Sequence, residues 1–204
     1  AKVDRASAYV STVQYIPLPA PTKPVSTIPG ETTLAVLDIP ALRDQDDAVV
    51  YYAAATGAKP AWSGALLQRS FDAGATFADV QDMGWPATIG KLTAPMAAAS
   101  PWHTDTTNVI EVELIREGDS IDAITEAQLL ARGGGIALQL ADGSWEIAQY
   151  RDVKHLGGQR YALSNLHRGQ LNTVAGPHAV GQLLVVLEDV SRVSADSAWI
   201  NAVM

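Results

Sequence analysis

A chain of 204 residues can hold one sizeable hydrophobic core or two small ones, and 48% hydrophobic against 18% charged residues excludes general disorder. Its 14 basic residues are scattered among 22 acidic ones for a net charge of −8, which excludes the clustered positive surface that a nucleic-acid backbone requires. The absence of cysteine removes disulfides, thiol catalysis and thiolate metal sites together, and no apolar run is long enough to cross a bilayer as a helix.

The chain begins at Ala1 without the charged, apolar and small-residue order of a signal peptide, and is expected to be one piece of a longer chain. Five prolines between residues 17 and 30 fix φ and remove backbone donors, so residues 1–30 are expected as an extended strap or linker. A β-rich domain over 31–204 follows. Short apolar runs rich in β-branched and aromatic residues predict strands over Thr33–Leu37, Val49–Ala54, Trp62–Ser70, Phe77–Val80 and Val109–Ile115. Asp44, Asp46 and Asp47 alternate like the start of a calcium loop, but the glycine and distal glutamate of such a loop are missing, so they read as solvated charges.

The stretch SFDAGATF, Ser70 to Phe77, has the Asp-box pattern met in sialidases and other sugar-handling propellers. Its chemistry is first that of a hairpin turn. A short carboxylate at Asp72 accepts from nearby backbone N–H groups, Gly74 tolerates positive φ, and Ser70 and Thr76 flank them, with the Phe77 ring folded under the turn. No second copy recurs as propeller blades would require. Regular patterning then lapses over Thr93 to Asn108, marking either a subdivision or a long surface loop.

Glu111 and Glu113 alternate with Val112 and Leu114, the signature of a half-buried antiparallel strand. In DAITEAQLLARGGG the period changes: Ala127, Leu130 and Ala131 share a helical face, Thr125 with Gln128 forms a capping box, and Gly133 is a stop. Gly133 to Gly135 follow a helix where a phosphate cradle would open one. Alternation resumes on both sides of Asp142-Gly143, a strong hairpin signal, and a second turn at Leu156 to Gln159 completes a meander. Leu183 to Glu188 is the last predicted strand. The fold class is mainly β: antiparallel hairpins and a meander, sandwich or barrel-like, with one short helix.

Candidate chemistry is sparse. His103, His155, His167 and His178 lack metal-ligand spacing, so neither a metal nor a cofactor is expected. Glycosidases need two facing carboxyl groups, and nothing in the linear sequence pairs Asp72, Asp79, Glu146 and Asp152. A Gly-x-Ser-x-Gly elbow is missing too. No catalytic residue is assigned, and the chain is not expected to be an enzyme. Of the five tryptophans, Trp145 alternates with Ile147 and reads as core, while Trp85 and Trp102, beside prolines in irregular segments, are candidate contacts for a partner or a sugar.

The order of LAVLDIPALRDQDD, VVYYAAA, WSGALLQRSFDAGATF, ATIGKL, NVIEVEL, IDAITEAQLLARGGGIALQL, WEIAQYRDV and RYALSNLHRGQLNT, spanning roughly residues 30 to 190, resembles a late region of large tail proteins from long-tailed phages and gene transfer agents. These are tail-tip or baseplate hub proteins, some grouped with host-specificity proteins. That family's meander ends in Leu-Ser-Gly-Leu-Leu-Arg-Gly-Arg-x-Gly-Thr. Arg168, Gly169 and Thr173 match it; Asn165 and Asn172 stand where glycines would, a change a left-handed turn permits, while His167 and Gln170 depart.

The resemblance implies a hairpin without a propeller at Ser70 to Thr76, and for Arg168 either hydrogen bonds to loop carbonyls or an intersubunit contact. It also implies a structural domain for tail assembly and host attachment, in the virion and in the host cytoplasm during assembly. The partners implied are other tail proteins, further copies of the chain in a ring, and a host-surface glycan or protein. The competing expectation is a carbohydrate-binding module or a sialidase-like glycan-cleaving domain.

Overall fold

The computed structural model describes residues 30–42 and 50–194. The strap expected before Gly30, the acidic triplet Asp44, Asp46 and Asp47, and Trp199 lie outside the described residues.

Among the described residues the chain forms thirteen strands and one short α-helix. In chain order these are β1 (Thr32–Leu37), β2 (Val50–Gly57), β3 (Ala65–Arg69), β4 (Ala78–Met83), β5 (Ile89–Leu92), β6 (Ile110–Leu114), α1 (Glu126–Leu130), β7 (Gly135–Gln139), β8 (Trp145–Gln149), β9 (Asp152–Gly157), β10 (Arg160–Ser164), β11 (His167–Gln170), β12 (Leu183–Val186) and β13 (Ser191–Ser194). Every pairing is antiparallel. The sheets are β1-β2-β13, the eight-stranded β11-β8-β7-β12-β5-β6-β10-β9, and the hairpin β3-β4.

Period-two alternation sorts the apolar side chains into three cores. One face of the large sheet gathers Leu92, Val112, Leu138, Ala148, Leu163 and Leu184 from strands distributed across it into one buried cluster. Its other face, carrying Ile89, Ala137, Trp145, Ile147 and Val185, packs on Ala35 and Leu37 of β1 and on Tyr52 and Ala54 of β2. The far face of β2, Ala53 and Ala55, packs with Trp62, Met83 and Val193 and takes Leu67 and Val80 of the hairpin against it. The molecule is therefore three layers deep, with β2 in the middle one. Small alanines on both faces of β2 let its neighbours approach. Gly90 serves the same end in β5, where a Cβ would lie 2.4 Å from Val112 Cγ2.

The two hairpins expected as one meander are separated in space. β7-β8 and β9-β10 stand apart in the large sheet with β12, β5 and β6 between them. Residues 93–108 join the neighbouring strands β5 and β6, pinned by bridges from Met96 to His178 and from Asp105 to Leu166, so this stretch is a long connection of one sheet. α1 has its capping box, Thr125 with Gln128, but buries Leu129 and leaves Leu130 exposed, and Arg132 rather than Gly133 takes the left-handed conformation after it. The apolar run ending at Glu188 turns into a 3₁₀ segment at Leu187–Asp189, and the last described strand is β13, a polar edge whose one buried side chain is Val193.

Candidate functional site

β8 is buried along its whole length because it has a packed layer on each face and a neighbour on each side. Trp145 and Ile147 point toward β1 and β2, so Glu146 must point to the other side, into a space with no water to solvate it. Arg168 of the adjacent β11 satisfies it. Arg168 Nε donates to Glu146 Oε1 at 2.5 Å and Nη2 to Oε2 at 2.8 Å, a bidentate pair between side chains that are both 0% exposed. The remaining guanidinium donors reach Gly176 O at 2.7 Å and Ala97 O at 3.2 Å, and Asp105 Oδ2 lies 3.6 Å from Nη1. Gly169 N–H donates to Glu146 Oε1 at 3.1 Å.

His178 completes the cluster. Its Nε2 lies 2.8 Å from Glu146 Oε2 and its Nδ1 2.8 Å from the carbonyl of Gln139. Through these two contacts the ring bridges the β8 carboxylate and the end of β7. Two carboxylates, Glu146 and Asp105, thus face the guanidinium of Arg168. Burial pushes the Glu146 carboxyl upward, but the hydrogen bonds from Arg168 and His178, the Arg168 charge and the Gly169 amide outweigh it and hold the group below its ordinary range. Asp105 behaves alike: burial raises it, and bonds from the Asn108 backbone and amide, the Thr107 N–H and the charge of Arg168 bring it lower.

Arg168, considered above for an intersubunit contact, is thus wholly internal, and its partners include two loop carbonyls. Its role is to fasten the 93–108 connection and the 173–178 segment onto β8 and β11. The conformational reading of the neighbouring substitutions holds: Asn165 and Asn172 both adopt positive φ, 55° and 63°. Leu171, φ 53°, joins them without the polar excuse of an asparagine. Thr173, the last matching residue, accepts the Ile147 N–H at 2.9 Å and donates to Gln170 O at 2.8 Å, replacing ladder bonds where β11 slips register.

The Asp-box-like turn is wired to itself. Gly74 N–H donates to Ser70 Oγ at 2.8 Å, Ser70 Oγ–H to Asp72 Oδ1 at 2.7 Å, and Thr76 donates its N–H to Oδ1 at 2.8 Å and its hydroxyl to Oδ2 at 2.7 Å. The Thr76 bonds, backbone first, and then that of Ser70 pull Asp72 down to about 2. Phe77 lies near Gly74 but remains exposed. At the other turn, Gly143 N–H donates to Leu140 O and Leu140 N–H to Ser144 O, while Asp142 caps Ser144 and Gly143 alone has positive φ, 87°. This is a type I turn closed by a glycine bulge, not a two-residue primed turn.

Trp145 is core as expected. Trp85, between β4 and β5, is 88% exposed, and Trp102, between β5 and β6, is 86% exposed; they sit in separate connections. The acids left unpaired by sequence have separate local partners: Asp79 accepts from Gln68, Asp152 from Arg151 and Asn165. Among the described residues no group of three or more His, Asp or Glu is arranged to hold a metal ion, and no helix is long and apolar enough to cross a membrane. Sequence reading named Glu146, Arg168 and His178 separately and missed their convergence. The available signal was one acid among Trp145, Ile147 and Ala148 in a predicted strand.

Residues 87–185, from just before β5 to β12, match a family model described as Rcc01698-like, C-terminal. This stretch contains the whole charge network and seven of the eight strands of the large sheet in full, with β12 lacking only its last residue. No curated protein matches the chain.

Proposed function

We propose that this chain is a structural, non-enzymatic domain of a tail-tip or baseplate hub protein of a phage or gene transfer agent, acting in tail assembly and host attachment. The carrying observation is how its polar groups are spent. The four buried titratable groups Asp105, Glu146, Arg168 and His178 are tied to one another and to backbone, binding loops onto a sheet, while two nearly bare tryptophans stand at loop corners. The order of segments from 30 to 190 supports the same reading. Rigid corners repeated by a symmetric ring of copies would let weak contacts add through effective concentration.

The test is to label this domain in the intact parent protein with a gold-conjugated antibody and image purified tails by electron microscopy. Label at the distal end of the tail is expected; particles labelled along the shaft, or unlabelled, would refute the assignment. The exposure of Trp85 and Trp102 also favours a sugar-binding reading, by stacking on pyranose rings. Glycan-array binding that disappears in Trp85→Ala or Trp102→Ala with unchanged melting temperature would select it.

A further inference from the structure

A pocket of about 330 Å³ lies at one end of the large sheet, where β5 and β7 begin, β8 and β12 end, and residues 120–124 of the connection from β6 to α1 close one side. Its size is that of a small-molecule or side-chain site. Three carboxylates line it, Asp122 from that connection and Glu188 and Asp189 from the 3₁₀ segment, and no lysine or arginine does. Asp189 is positioned by its Oδ2, which accepts the Thr88 N–H at 3.2 Å. Asp122 and Glu188 are exposed and have no ion-pair partner among the described residues. Like charges gathered without a counter-ion repel one another, and a cation between them would relieve that repulsion.

Tyr150 reaches the same pocket from the core. It is 5% exposed and belongs to the buried cluster of the large sheet, while its hydroxyl opens into the pocket and makes no hydrogen bond among the described residues. The other two buried tyrosines spend theirs: Tyr52 accepts the Leu42 N–H at 2.9 Å, and Tyr161 donates to Asp119 O at 3.4 Å. Burial first, and then the charges of Glu188, Asp122 and Asp189, push the Tyr150 phenol up to about 12. It therefore stays a neutral hydroxyl beside three carboxylates, able to accept an N–H from a ligand. These acceptors come from three separate segments, and among the described residues no three acids are arranged to hold a metal ion. A guanidinium suits that spread better than an ammonium, because its five donors form a wide, weakly hydrated plane. Ile124 and Val186, both half-buried, offer its stem an apolar rest. A free amino acid would bring its own carboxylate to this acidic rim, so an arginine inside a chain fits better.

We propose that this pocket binds the guanidinium of an arginine presented by a protein partner, with N–H donors to the Tyr150 hydroxyl and to the carboxylates of Asp122 and Glu188, and the aliphatic stem against Ile124 and Val186. The assignment does not rest on the tail-hub reading. It accounts for a core tyrosine whose hydroxyl the fold leaves unspent, and for three acids gathered beside it without a cation.

The probe is N-acetyl-arginine amide, an arginine as it stands inside a chain, titrated at low salt into the ¹⁵N-labelled protein and followed by amide shifts. Saturable shifts at Thr88, Ile124, Gly135 and Glu188 are expected, with a Kd on the order of millimolar. The uncharged isostere N-acetyl-citrulline amide should leave those amides in place, and N-acetyl-lysine amide and free arginine should each bind at least about threefold more weakly. Tyr150→Phe should weaken probe binding at least about threefold while melting at or above the wild-type temperature, because the hydroxyl it deletes has no partner in the fold. Asp122→Asn, at an exposed position, should repeat the loss of binding. Absence of saturable shifts at roughly 20 mM probe, binding unchanged in Tyr150→Phe or Asp122→Asn, a citrulline, lysine or free-arginine probe binding as tightly, or displacement of the probe by calcium chloride at constant ionic strength would each overturn the proposal.

Discussion

Arg168 illustrates how much one buried side chain can be asked to do. Its fork matches the Glu146 carboxylate at two points while other donors hold the carbonyls of Ala97 and Gly176. Removing the guanidinium strands a buried carboxylate and two carbonyls, so Arg168→Met should cost about 3–5 kcal/mol in urea unfolding. Arg168→Lys should also be clearly destabilising, because an ammonium is a point donor that cannot reproduce the bidentate fork. A loss below about 1 kcal/mol for Arg168→Met would mean that the network contributes little. Asp72 is the opposite case, an exposed acid whose bonds are all local. Its carboxyl should titrate near 2 by NMR, and Asp72→Ala should raise amide exchange across residues 70–77 while leaving the β7-β8 strands protected. Equal loss of protection in both places would show that the turn is coupled to the main core.

At the scale of elements, much was legible because local chemistry decides it. The alternation of Glu111 and Glu113 with Val112 and Leu114 gives β6, and Thr125 with Gln128 gives the start of α1. The details that failed were set by distant neighbours. β13 is four residues with one buried side chain, visible only as an edge laid against β2. Leu129 rather than Leu130 is buried in α1 because the sheet lies on that side, which five helical residues are too few to specify. The convergence of Glu146, Arg168 and His178 depends on β11 lying beside β8 and on the 93–108 connection folding back, neither of which has a local signal. Turn chemistry sits between these extremes. The sequence Asp142-Gly143 marks the hairpin correctly, yet only Gly143 has positive φ, so the glycine is the demanding position. Gly143→Ala should therefore destabilise by about 1 kcal/mol, measured as a lowered urea midpoint, and Asp142→Asn by less. The reverse ranking would indicate a primed turn in solution.

For the molecule as a whole, apolar packing joins the three layers while a few buried charges pin connections onto the large sheet, and those charges fix how stability responds to acid. Glu146 and Asp105 both have carboxyls held below their ordinary range in the folded chain. A depressed folded value means that the unfolded chain binds protons more readily. The stabilisation is then fully present above the unfolded value and is lost as pH falls through the folded one. Urea midpoints should be level from about pH 7 to 5 and should fall below about pH 4, where unfolded carboxyls begin to protonate. The network ties the 93–108 and 173–178 segments to β8 and β11, so amides of those segments should lose protection first on acidification, ahead of β5 and β12. Glu146→Gln tests the attribution. It removes one titrating group at constant shape, so it should lower stability at pH 7 and flatten the acid decline. Asp105→Asn should flatten it less, since its partners are mostly uncharged amides. If both variants declined as steeply in acid as the parent chain, the proton sensitivity would have to reside in surface acids, and the buried cluster could not be what makes the 93–108 and 173–178 segments acid-sensitive.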